Sequence, residues 1–430
     1  MNNIAKAIFK KEFKSLFYSK SSFVFLFICS LMIGYGFITA IELYSIQSIS
    51  AIDDEIYAKS FEPIIGVFNP TFGGFFLLYS LILPFVIIPI IGLEKEQNTH
   101  YLLMQLPIKY HKVFVLKVSV ALLFVVISLS MIIPAILFWV GYGGHIDIGE
   151  IGLLIFGYFL YGTFVVAISF FSASLLNDYA SASVVALLLI LFWWIVDFGS
   201  NSNYIDLSTF NVIDILKEFE NGVLSLFSIL YFFLVSIGLF LASYMLLRFD
   251  LRYRFGLVAI SMIGVIIVLL LVHNSKISNL NYDITQSQRN SFEPKYQKAL
   301  NTLQSLQIDI YLSSEDSRYK DYQKEFLDKL RFCDIKADIN KIDGTKLKEN
   351  YGIIVYKIDG KSYKTYSNSS EEFFDMIPKQ NTQNLDNHIY SGYPLVIKSD
   401  KIGMLKYLYY LLIPLLMIMI LINRKRNENI

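Results

Sequence analysis

Charge is what this chain has least of. Asp, Glu, Lys and Arg make up 17% of its 430 residues, against about 25% in an ordinary soluble domain, and long stretches hold none. The formal net charge is only +1, so no global field favours nucleic acid, which is not expected as a partner. Cysteine is nearly missing. Cys29 sits in an apolar stretch and Cys333 in a polar one; two such residues make no disulfide framework and leave the redox compartment unread. The five histidines, His100, His111, His145, His273 and His388, show no ligand spacing, and no metal site is expected. A phosphate-binding loop is missing too. The nearest approach is Asp359-Gly360-Lys361-Ser362, with Val355 where the pattern needs Gly, and it reads as a hairpin turn. No nucleophile and base pair or paired-carboxylate motif stands out, so the chain is not expected to be an enzyme or to hold a cofactor itself.

Apolar residues are what the chain has instead: 55% hydrophobic and 16% aromatic, with a mean hydropathy of +0.50. A helix needs about 20 apolar residues to cross about 30 Å of hydrocarbon. By that measure about eight spans are expected, near 22–43, 72–93, 113–140, 151–176, 183–199, 224–247, 256–272 and 404–423. The fifth is the shortest. The fold class is therefore an α-helical polytopic membrane protein with a small extracytoplasmic α/β domain.

Residues 1–21 do not read as a cleavable signal peptide. Ile4, Ile8, Phe9, Phe13, Leu16 and Phe17 form a helical stripe with Lys6, Lys10, Lys11 and Lys14 on the other side, the pattern of an amphipathic helix lying on lipid. No neighbouring domain is expected to receive it.

Lys and Arg bias sets the orientation. Lys6 to Lys20, then Lys95, Lys109, Lys112 and Lys117, then Arg248, Arg252 and Arg254, and finally Arg424, Lys425 and Arg426 fall on one side, while the short loops opposite are acidic. Both termini are expected in the cytosol of a bacterial cell, with the chain crossing the cytoplasmic (inner) membrane several times. The same count puts residues 273–402 outside. There Glu293–Leu306 and Arg318–Arg331 read as helices. Ile308–Leu312, Cys333–Ile339, Gly352–Ile358 and Ser362–Tyr366 read as strands, a pattern for a small sandwich with a partly parallel sheet.

Within the spans, Pro84, Pro89 and Pro134 release backbone carbonyls and permit kinks. With Asp197 they are the candidates for a pathway or hinge. An intramembrane carboxylate is often functional and could line a pathway, but Asp197 follows Phe192-Trp193-Trp194-Ile195-Val196 and reads first as an interfacial group beside an aromatic belt.

The most informative segment is the charged interruption from Glu94 to Lys117. Glu94, Lys95, Glu96, Gln97, Asn98 and Thr99 come first, then an apolar ridge at Tyr101, Leu102, Leu103 and Leu106, then Pro107 and a basic cluster at Lys109, Lys112 and Lys117. A connector with an apolar face is built to dock on something.

Together these features resemble the ABC-2 type permeases, the membrane subunits of ABC exporters. The entrance Lys10–Phe25 is similar to the interfacial helix of the gliding-motility permeases, with Lys20-Ser21 where those carry Ser-Pro. The connector resembles the family run of Glu, basic, Glu, any, Gly, Thr followed by paired leucines and Pro, with Asn98 in place of Gly; Asn also tolerates left-handed backbone. The amphipathic stretch Phe210–Gly222 before the sixth span is the third likeness. The segment from Asn281-Tyr282-Asp283-Ile284-Thr285 resembles a shortened auxiliary gliding-motility subunit fused to the permease.

The resemblance implies a six-helix permease domain over 22–250 with its coupling loop at 94–112, a seventh helix at 251–272, the external domain at 273–402, and an eighth helix with a basic tail at 403–430. It implies an exporter subunit whose partners are separate cytosolic ATPase subunits carrying the ATP and Mg, a second permease copy or paralogue, and membrane lipids. Glu94, Lys95, Glu96, Asn98, Thr99, Leu102, Leu103, Leu106 and Pro107 are the implied ATPase-coupling residues. The alternative is a mechanical or scaffolding membrane protein that positions residues 273–402 on a periplasmic, cell-envelope partner.

Overall fold

The computed structural model describes residues 3–51, 62–99, 102, 105, 109–199, 210–248, 251–275, 280–292, 294–303, 305–313, 316–333, 335–342, 350–377 and 394–428. The chain is mostly helical and divides into two compact units. The first comprises Met1–Glu220, Leu226–Ile277 and Ile389–Ile430; the second comprises Asn221–Ser225 and Ser278–His388.

In the helical unit, α1 (Asn3–Phe17) leads into α2 (Lys20–Ala51). A π-helical turn at Ile64–Phe68 then opens α3 (Asn69–Leu81), which is followed by α4 (Leu83–Ile87) and α5 (Pro89–Glu96). The third span is α6 (Tyr110–Leu129) and α7 (Ile133–Gly141), separated by a 3₁₀ turn at Ser130–Ile132. Then come α8 (Ile148–Leu175), α9 (Tyr179–Gly199), the short α10 (Val212–Glu220), α11 (Leu226–Arg248) and α12 (Leu251–His273).

Among the described residues seven helices are long and apolar enough to cross a membrane: Lys20–Ser50, Ile64–Leu81, Tyr110–Gly141, Ile148–Leu175, Leu226–Arg248, Phe255–His273 and Lys401–Ile420. These fit a multi-pass membrane protein. The expected fifth span, 183–199, falls within α9, a helix of 21 residues; among its described side chains the apolar run is Tyr179–Ile195, shorter than those seven. The second span also differs from the expected 72–93. It starts earlier, at Ile64, because Pro63, Asn69 and Pro70 dilute the local hydropathy without ending the helix; Pro70 takes the first turn of α3, where no N–H is needed.

The prolines mark the breaks. Pro84 and Pro89 sit in the first turns of α4 and α5, and Pro134 in that of α7. Asp197 falls near the end of α9, and its side chain lies outside the described residues. The amphipathic stretch after α9 forms α10, which buries Val212, Ile215, Leu216 and Phe219; the Tyr158 hydroxyl of α8 donates to Glu220 Oε1 at its end (2.7 Å). Helix packing uses small residues. At Gly238 on α11 an added Cβ would lie 2.5 Å from Val265 of α12, and at Gly162 on α8 one would lie 2.6 Å from Val125 of α6, the close approach that glycine permits between membrane helices.

The last helical segment, α17 (Ser399–Tyr407), a π turn at Leu408–Leu412, and α18 (Ile413–Glu428), belongs to this same unit. It packs on α2: Ser30 Oγ donates to the Tyr409 carbonyl (2.9 Å), and Lys406 pairs with Glu42 at 3.2 Å.

The second unit is a helix-on-sheet layer. Its elements are β2 (Asn281–Asp283), α13 (Pro294–Asn301), β3 (Leu306–Ile310) and α14 (Ser317–Tyr322), which runs through a π turn into α15 (Asp328–Phe332). They continue with β4 (Asp338–Lys341), β5 (Ile354–Ile358), β6 (Lys361–Thr365) and α16 (Ser370–Met376). The four-stranded sheet has the order β4-β3-β5-β6. The β3 and β4 pair is parallel and the other two pairs are antiparallel, so the sheet is partly parallel as its alternation of helix and strand predicts. Ile308, Ile310, Tyr356, Phe326 and Phe373 form its core. The β5–β6 turn is Asp359-Gly360, both at positive φ (48° and 83°), the two-residue hairpin geometry those residues favour. A separate strand, β1 (Val223–Ser225), pairs antiparallel with β2, Val223 opposite Asp283.

Candidate functional site

The head of the connector at Glu94 is held by a buried charge cluster. On α1 the residues that face the bundle are Ile8, Glu12 and Leu16, each buried, at the i, i+4, i+8 spacing of one helix face. The phenyl rings of Phe9, Phe13 and Phe17 stack beside them, and Phe17 lies 5.4 Å from Phe124 of α6. The first helix is therefore received by the third span. It is not a free helix lying on lipid alone, although Lys6, Lys10 and Lys14 stay exposed as the stripe predicts.

Lys117, two turns into α6, is 3% exposed. Its Nζ donates to Glu94 Oε1 (2.8 Å) and to the Ile90 carbonyl (3.1 Å), and pairs with Glu12 Oε2 at 3.2 Å. Lys11 closes the cluster at its surface, 3.3 Å from both Glu12 Oε1 and Glu94 Oε1. Two carboxylates and two ammonium groups thus balance. Burial alone would lower the Lys11 pKa, but the charges of Glu12 and Glu94 outweigh it and raise the ammonium above its ordinary value. Pairs of this kind are costly to leave half-made.

The next residue reaches the other way. Lys95 Nζ donates to the carbonyls of Ser174 (2.6 Å) and Leu176 (2.7 Å). These lie at the C-terminus of α8, where carbonyls lack helical partners and the helix dipole favours a cation. Glu94 and Lys95 together therefore bond α5 to α1, α6 and α8.

Asn98 then turns the chain. Its φ is +56°; its N–H bonds the Lys95 carbonyl (3.1 Å), and the Thr99 N–H bonds the Glu94 carbonyl (2.8 Å). These are the two reversed hydrogen bonds of a Schellman C-cap, with the left-handed residue where Gly is usual. The Asn in place of Gly thus does what the Gly would do. The cap also ends α5 at Glu96, so the connector is not one continuous helix. Glu96 and Gln97 at the helix end and Leu102 and Gln105 beyond it are exposed, Leu102 by 61%. Leu103, Leu106 and Pro107 lie outside the described residues. Past the connector, Tyr110 stacks on Tyr244 of α11 (5.9 Å), and Arg248 bonds the Tyr244 hydroxyl (2.6 Å).

Glu12 and the buried state of Lys117 are what the sequence reading missed. The signals were present: Glu12 stands four residues from both Ile8 and Leu16 on the apolar stripe. Lys117 stands in register with Val113, Val120, Ala121 and Phe124, all buried. Each looks like an ordinary wet-side charge until the other is placed opposite it. The chain matches no family model, no curated protein and no solved structure.

Proposed function

We propose that this chain is the permease subunit of an ATP-driven exporter of the ABC-2 type, and that residues 94–107 are the element through which a separate cytosolic ATPase drives it. The observation that carries this reading is the two-sided build of the connector head. Glu94 and Lys95 point inward and are bonded to α1, α6 and α8, while Glu96, Gln97 and Leu102 point outward and are exposed. A push on the exposed side is delivered to three helices at once. One of them, α8, is the most buried of the spans, so displacement of its end is felt throughout the packed core.

The expectation of a cytosolic connector comes from the Lys and Arg bias and is independent of any family likeness. ATP and Mg belong to the partner ATPase, and a second copy or paralogue of this chain completes the path. Affinity purification of the full chain from its native membrane tests the reading: a P-loop ATPase should accompany it. Leu102→Asp, at an exposed position, should release that ATPase without lowering the melting temperature. Undiminished capture by the Leu102→Asp chain would remove the docking role.

A further inference from the structure

The break in the third span is served by a residue from the far end of the chain. Between α6 and α7 the regular hydrogen-bond ladder stops. The 3₁₀ turn Ser130–Ile132 closes on Ser130, and Pro134 has no N–H to offer. The Met131 carbonyl accepts instead from the Tyr409 hydroxyl at 3.1 Å. A phenol supplies one donor and can also accept. Tyr409 therefore serves the Met131 carbonyl where the helical ladder is interrupted, and a side chain inserted into the ladder is a known cause of a kink.

Everything else about Tyr409 is fixed. It is fully buried, it lies in the π turn Leu408–Leu412, and its carbonyl accepts from Ser30 of α2. A Cβ added at Gly34 would lie 2.4 Å from its Cβ. The extended residues just before α17 are tied to α2 as well, since Leu395 N–H donates to Ser48 Oγ and Ile397 N–H to Ser45 Oγ, both at 3.2 Å.

We propose that Tyr409 is a positioning residue that sets the bend of the third span at Pro134, latching α7 to α2 during the transport cycle. The last helix is then a working member of the bundle and not only an anchor for the segment before it. This inference rests on the exporter reading for its role in transport, but the latch itself does not.

The test uses the full chain in lipid nanodiscs with nitroxide labels at Val140 and Leu241, both exposed. The α7 arm beyond the bend is about 10 Å long, so a change of about 20° moves its end by roughly 3–4 Å. Tyr409→Phe should shift or broaden the label distance by that amount, and Gly34→Ala, which crowds Tyr409 but keeps its hydroxyl, should do the same. Pro134→Ala restores an N–H to the bend, so adding Tyr409→Phe to it should change nothing further. Distances for Tyr409→Phe that superimpose on those of the unsubstituted chain, or effects of the two substitutions that add, would overturn the latch.

A second arm measures MgATP hydrolysis by the copurified complex. Tyr409→Phe should change its rate several-fold, and not in the Pro134→Ala background. Shifted distances with unchanged hydrolysis would separate the latch from transport and overturn that part. Failure of any ATPase to copurify would sink the exporter reading while the distance measurements still decide the latch.

Discussion

Lys117 Nζ lies 2.8 Å from Glu94 Oε1, joining the middle of one helix face to the first charged residue of the connector. Replacing Lys117 by Met leaves the buried Glu12 and the half-buried Glu94 with only the surface cation of Lys11 beside them. The expected loss is about 3–5 kcal/mol, the usual cost of orphaning a buried charge. Thermal melts of the detergent-solubilised chain measure it. The triple variant Glu12→Gln, Glu94→Gln, Lys117→Met, which removes the charges together, should recover most of the loss.

Lys95 ends on two carbonyls of α8 and should affect transmission more than assembly. Lys95→Met keeps the aliphatic stem and removes both bonds. If the proposed exporter reading holds, the ATPase should still copurify, while ATP hydrolysis loses its dependence on the permease. Equal loss of ATPase capture and of coupling would mean that Lys95 only shapes the docking surface.

Asn98 holds a left-handed backbone, which costs about 1–2 kcal/mol for a residue with an ordinary Cβ. Asn98→Gly should leave the melting temperature unchanged or slightly higher, since Gly is the usual residue of this cap. Asn98→Val should lower stability by about 1–2 kcal/mol and expose the loop to protease between Glu96 and Leu102. Equal melting of the two variants would contradict the assigned cap.

The second unit should be sensitive to acid through Asp309. Burial would raise its pKa, but bonds from Lys357, Asn340 and Gln307 prevail and hold the carboxylate below its ordinary value. A depressed folded pKa means that the stabilisation is present above the unfolded value, about 3.9, and is lost as pH falls through the folded one. Amide exchange of β3 and β4 in the full chain should therefore quicken below about pH 4. In Asp309→Asn that acid step should shrink, with exchange at neutral pH already faster.

Much of this architecture is legible in the sequence because its signals are local. A run of apolar residues is long enough or it is not, and the Asp359-Gly360 pair and Asn98 each declare a left-handed turn within a few residues. The fifth apolar run is the shortest in the sequence, and α9 covers it. What could not be read locally depends on distant partners. β1 is three residues long, and its partner Asp283 lies some sixty residues on; nothing in Val223-Leu224-Ser225 marks a strand without it. The prolines announce breaks in the helices, but not that Tyr409 serves the one at Pro134. Glu12 and Lys117 are each unremarkable alone, and only their meeting turns two surface-like charges into a buried junction.

The carboxylate of Glu12 also bears on how the protein is made. A nascent chain has produced α1 and α2 long before Lys117 leaves the ribosome, and until then the carboxylate on the apolar face of α1 has only the surface cation of Lys11 beside it. The first helix can settle only once the third has arrived. Nascent chains arrested before residue 117 should leave α1 accessible to a thiol reagent at an introduced Leu16→Cys, and chains arrested beyond α7 should protect it.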